Sequence, residues 1–291
     1  MGNLVKKLKS DYEEIMQKNS PEWAVHKKNF PDDLVKCTIP FVGKKFETQE
    51  MKILVYASAE NLSGYYKGND EAWKGDWLDN DEQAIDRHRW CFECDELQDD
   101  PFFPHVHLQP MNNGCLATAV YYIASKLCEV KEKTPREFYE TIAFANYGKY
   151  SIETELQRNK RLKGSAVGSK TNIDYADDRE LLEASHDFIA ADINALEPDY
   201  IIMPKSIYNA DRKFIDSVKG DAVVIGIYQM NAQAINLHIA PKFTKYDKKD
   251  LCDVVSTWYE ALGKDSMTGE NKENYLAVFS HLDNEIEKIG R

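Results

Sequence analysis

Asn146, His238, Ser58, Glu60 and the pair Tyr65 and Tyr66 are polar or aromatic residues at or just beyond the ends of apolar runs. An Asn amide carries an acceptor and a donor in one plane and can pair with the edge of a planar heterocycle. A Tyr ring nearby can stack on the face of that heterocycle. His can donate a proton or stabilise charge on a departing ring, and a carboxylate such as Glu60, or the hydroxyl of Ser58, can orient water. Each residue taken alone has an ordinary alternative. Asn146 fits a turn, His238 a loop, the tyrosines a packed rim, and Glu60 an exposed surface.

These residues need a scaffold that brings distant segments together. Met51-Lys-Ile-Leu-Val-Tyr-Ala-Ser-Ala-Glu-Asn61 is an apolar run ending in small and polar residues, with Gly64 just after it. The pattern predicts a buried strand over Lys52–Ala57, with further strands over Thr141–Tyr147, Asp199–Pro204 and Ala222–Tyr228. Helical spacing predicts helices over 3–18, 21–29, Asp81–Leu97, 113–129, Asp177–Leu196, Ser206–Val218, 249–262 and 271–288. Near-continuous apolar strands alternating with helices imply a mainly parallel sheet covered on both faces. The expected architecture is a three-layer α/β/α sandwich with a central sheet of about four strands. Residues 1–39 are expected to form a helical appendage and 40–291 a single α/β domain. In such sheets ligands bind beyond the carboxyl ends of the strands.

Composition narrows the partners. The chain of 291 residues has a formal net charge of −12, which opposes phosphate binding overall. The charge is uneven: 69–100 holds twelve Asp or Glu against three Lys or Arg. Lys149, Arg158, Lys160, Arg161, Lys163 and Lys170 face only Glu153 and Glu155 across 149–170, and Lys242, Lys245, Lys248 and Lys249 face only Asp247 across 238–249. Both basic stretches follow expected strands and are either solvated loops or tracks for an anionic backbone. No apolar run reaches membrane-spanning length, and the amino terminus lacks a secretory pattern, so a cytoplasmic location is expected. The six cysteines are irregularly spaced and are expected to be reduced thiols. His88, Cys91 and Cys94, followed by His105 and His107, have metal-ligand spacing. The first three also share one face of an expected helix, and no metal or other cofactor is expected. The chain has no Walker loop, dinucleotide-binding glycine motif or nucleophile elbow.

The order of these motifs resembles that of the uracil-DNA glycosylase superfamily. Val55-Tyr-Ala-Ser-Ala-Glu-Asn61 is similar to the segment that positions water, Phe144-Ala-Asn-Tyr-Gly-Lys-Tyr-Ser151 to the segment whose Asn reads the base, and Leu237-His-Ile-Ala-Pro241 to the His segment whose loop enters the minor groove. The first segment lacks the usual glycines and proline, and in the last the proline does not follow the histidine directly. The resemblance implies metal-independent hydrolysis of an N-glycosidic bond in single- or double-stranded DNA, through a flipped base. It implies base reading by Asn146, stacking by Tyr66 or Tyr65, stabilisation of the leaving base by His238, and water placement by Glu60 or Ser58. Lys149, Arg158, Lys160, Arg161 and Lys242 would contact the DNA backbone. Two alternatives stand beside it: an inactive module of the same fold that binds nucleic acid or protein, and a hydrolase of free nucleosides or nucleotides.

Overall fold

The computed structural model describes residues 3–18, 40–59, 114–132, 135–149, 176, 179–230, 232–262 and 269–289. The expected helices over 21–29 and Asp81–Leu97 lie outside these residues. Five strands form one sheet: β1 (Phe41–Val42), β2 (Ile53–Ala59), β3 (Ala143–Gly148), β4 (Tyr200–Pro204) and β5 (Val223–Ile227). Their order is β1-β3-β2-β4-β5. The four longer strands run parallel, and β1 joins β3 antiparallel, with Phe41 opposite Phe144. The sheet is therefore five-stranded rather than four-stranded. The added strand is the two-residue β1, too short to carry an alternating pattern, in a segment that reads only as an extended lead-in.

Eight α-helices of five residues or more pack on the sheet among the described residues: α1 (Asn3–Lys18), α2 (Gly114–Leu127), α3 (Pro135–Tyr139), α4 (Arg179–Leu196), α5 (Lys205–Val218), α6 (Asp253–Leu262), α7 (Gly269–Asn274) and α8 (Leu276–Glu287). None is long and apolar enough to cross a membrane. Successive strand side chains point to opposite faces, and they feed two separate apolar clusters. Ile53, Val55, Phe144, Ile202, Ile225 and Ile227 join residues of α2, α6 and α8. Leu54, Tyr56, Ala145, Tyr147, Ile201 and Met203 join residues of α1, α4 and α5. Both faces of the parallel strands are thus buried, which explains why these strands read as continuous apolar runs rather than alternating ones.

Helix α1 packs against the domain. Val5, Leu8 and Tyr12, one stripe at helical spacing, are buried in the second cluster, and the Tyr12 ring meets Phe188 of α4 edge-on at 4.8 Å. At the β1 edge, Gly43 donates its N–H to the Ile142 carbonyl at 3.0 Å. A Cβ there would collide with the Glu140 carbonyl, so the chain needs glycine for this close approach.

Connectivity fixes where the sheet opens. β2 leads to β3 on one side, and β3 leads to β4 on the other side of β2. The carboxyl ends of β2 and β4 therefore flank a topological switch point, where doubly wound sheets form a crevice.

Candidate functional site

Polar side chains from separate segments meet at the carboxyl edge of this sheet. Ser58 stands near the end of β2, and its hydroxyl accepts a hydrogen bond from the Gln229 amide at 2.8 Å. Gln229 follows β5, so this bond crosses the end of β4 and bridges the switch point. Lys205 begins α5 immediately after β4, and Tyr228 immediately follows β5.

Tyr228 is the hub of the site. The His238 ring stacks near it, with centroids 6.0 Å apart and planes 18° apart. The ammonium groups of Lys205 and Lys242 lie 5.5 and 5.6 Å from the Tyr228 ring centre. Cations gather at a tyrosine face because the ring quadrupole is negative there. His238 sits in a π-helical turn, Ile235–Ile239, following the short helical segment Ala232–Ala234. The Ala240 N–H reaches back to the Ile235 carbonyl at 2.8 Å, and this wide turn presents both Leu237 and His238 to solvent. Such π turns recur at functional sites.

Helix α8 supports the hub from below. The backbone N–H of Tyr228 donates to His281 Nε2 at 3.2 Å, so this nitrogen is unprotonated and Nδ1 carries the hydrogen. His281 is fully buried, and its Nδ1 lies 3.7 Å from Glu285 Oε1. Burial is the main cause that pushes the His281 pKa down to about 4, with the positive charges of Lys205 and Lys288 adding to it and Glu285 opposing. Glu285 receives Lys205 Nζ at 2.9 Å and Lys288 Nζ at 2.8 Å on the same oxygen. Burial raises its carboxyl, but the two ammonium groups win and hold it below the usual range.

Asn146 lies at the same edge but apart from this hub. It pairs with Ala57 in register, and strand alternation puts it on the face of Phe144 and Ala57, the face that α8 also covers. β2 and β4 separate it from β5, a span of about 14 Å at the usual strand spacing. Its side chain is half-buried, and its amide makes no hydrogen bond among the described residues. Ser58, one residue beyond Ala57, points to the opposite face by the same alternation.

Lys149 is a correction. Its side chain is 0% exposed, and its ammonium donates to Asp192 Oδ2 at 2.6 Å. Asp192, on α4, also accepts from Tyr12 at 2.7 Å and Tyr56 at 3.1 Å. Burial pushes the Asp192 carboxyl up, while Lys149 and the two phenols oppose that push. Lys149 is thus a buried partner within the fold and does not present its charge to a DNA backbone. Alongside it, Asp211 accepts from Tyr147 at 2.6 Å and pairs with His186 Nε2 at 2.7 Å, while the His186 ring stacks on Phe214. The backbone of α5 departs from helical geometry at Asp211.

Of the remaining expected site residues, Glu60, Tyr65, Tyr66, Arg158, Lys160 and Arg161 lie outside the described residues, as do His88, Cys91, Cys94, His105 and His107. The described cysteines Cys128 and Cys252 are free thiols. Neither Tyr228 nor Lys205 carries a signal in its residue type alone. Their signal was position, since each follows the last buried residue of a parallel strand. Comparison with known protein families, characterised proteins and solved structures finds no match to this chain.

Proposed function

We propose that this chain is a uracil-DNA-glycosylase-like protein, a three-layer α/β/α domain that hydrolyses the N-glycosidic bond of uracil or another modified base in DNA. The observation that carries the reading is the pairing of His238 with Tyr228 at the carboxyl edge of β5, beside the bridged switch point. In this reading Asn146 reads the polar rim of the flipped base and His238 faces that base across the ends of β2 and β4. Histidine there stabilises charge on the departing base or returns a proton to it. Ser58, fixed by Gln229, or Glu60 would place the water.

Two surface features support DNA as the substrate. Leu237, beside His238, is 58% exposed and is the one large apolar side chain standing out among the described residues. Apolar wedges of this kind enter between base steps when a duplex is opened. In the basic stretch that follows, Lys245 pairs with Glu273, Lys249 pairs with Asp247 and Lys248 lies over Tyr259. Lys242 makes no ion pair among the described residues and is the one placed to meet phosphate.

The test is base release from single- and double-stranded oligonucleotides carrying uracil, hypoxanthine or xanthine. Release by the wild type, reduced about 10²-fold or more in His238→Ala, is the expected result. Absence of release at high protein concentration overturns the hydrolytic reading for those bases. Retained oligonucleotide binding without release would identify a binding module of the same fold.

A further inference from the structure

We propose that Lys205 and Lys242, gathered on the Tyr228 ring, form a phosphate-binding site at the carboxyl edge of β4 and β5. The inference rests on the nucleobase reading and names the anionic part of the substrate that the edge retains. Both ammonium groups share one ring, that of Tyr228, at 5.5 and 5.6 Å from its centre. A tyrosine quadrupole attracts cations but does not neutralise them. Glu285 is the one carboxylate in this set of contacts, and it is shared by Lys205 and Lys288 on a single oxygen. The contacts thus join three ammonium groups to one carboxylate, a local positive excess in a chain of net charge −12.

The surroundings favour an oxyanion. Lys205 is 30% exposed and spends one N–H on Glu285, leaving others for a ligand. Glu285 and His281 act as positioning residues. Glu285 draws the Lys205 side chain along α8, and His281 holds the Tyr228 backbone that carries the ring.

Calorimetric titration with deoxyuridine, deoxyuridine 5′-monophosphate and a uracil-bearing trinucleotide tests this site. The phosphate-bearing probes should bind about tenfold tighter than deoxyuridine, as expected for one charge-assisted contact. Lys242→Met and Lys205→Met should each abolish most of that advantage, read as the ratio of phosphate-bearing to deoxyuridine affinity in the same variant. Lys242 is exposed, so its variant reports on the site even where Lys205→Met disturbs folding. A preference for the monophosphate identifies a terminal phosphate as the ligand, and a preference for the trinucleotide identifies a phosphodiester. Probes that bind no tighter than deoxyuridine, or an advantage that survives Lys242→Met, overturn the inference. A lysine-dependent phosphate preference without base release would strike the glycosidic reading alone.

Discussion

His281 offers a direct measure of how tightly the hub around Tyr228 is built. Its Nε2 lone pair accepts the Tyr228 N–H at 3.2 Å, so protonation there would set one N–H against another. Burial and the charges of Lys205 and Lys288 also disfavour the imidazolium, and Glu285 offsets them only in part. The folded-state pKa of about 4 lies below the ordinary value of 6.5. The unfolded chain therefore binds more protons between these values. The stability tied to neutral His281 is fully present above pH 6.5 and is lost as pH falls through the window towards 4. At about 1.4 kcal/mol per unit, the loss across the window is on the order of 3 kcal/mol. His281→Gln removes the titration and keeps a side-chain oxygen able to accept from Tyr228. Urea unfolding of both proteins across this range should give stability curves that converge or cross as pH falls, because only the wild type carries the added slope. Parallel curves would refute the assignment of a buried, neutral imidazole.

Three further perturbations probe the scaffold. Lys149→Met leaves the Asp192 carboxylate buried without its cation and should destabilise the domain by about 3–5 kcal/mol in chemical denaturation, with Asp192→Asn in the same chain recovering part of the loss. Tyr12→Phe removes one donor to Asp192 while keeping the ring on Phe188, and the expected loss is about 1–2 kcal/mol by the same measurement. Gly43→Ala drives a methyl into the Glu140 carbonyl and should cost about 1–3 kcal/mol, visible as a lowered melting temperature.

The four parallel strands were legible because burial on both faces leaves an unbroken apolar run, as in Ile53-Leu-Val-Tyr56 and Tyr200-Ile-Ile-Met203. The helical stripe of α4 was legible through its spacing, as in Phe188, Ile189 and Ile193. Its polar members were harder to interpret. Ser185 and Asp192 occupy the buried stripe, and Asp192 finds its cation 43 residues earlier at the end of β3. Lys149 opens a basic stretch, and charge density along the sequence gives no sign that one lysine of such a run turns inward. His238 and Lys242 did come together, but on a ring the motif order did not indicate. Tyr228 looks like the last apolar residue of a strand, and only the sheet order and the return of α8 make it a hub. Asn146 and Ser58 fall on opposite faces because they lie at neighbouring register positions on adjacent strands, a parity that motif order does not encode.

The bond between Tyr12 and Asp192 joins residues 180 positions apart, and it has a consequence for the order of assembly. During synthesis at about 5–20 residues per second, the stripe of Val5, Leu8 and Tyr12 is made on the order of ten to forty seconds before its partner helix. Closing so long a loop is entropically unfavourable until the sheet is nearly complete, so α1 docks late. Until then its apolar stripe is a nascent-chain surface that chaperones can hold.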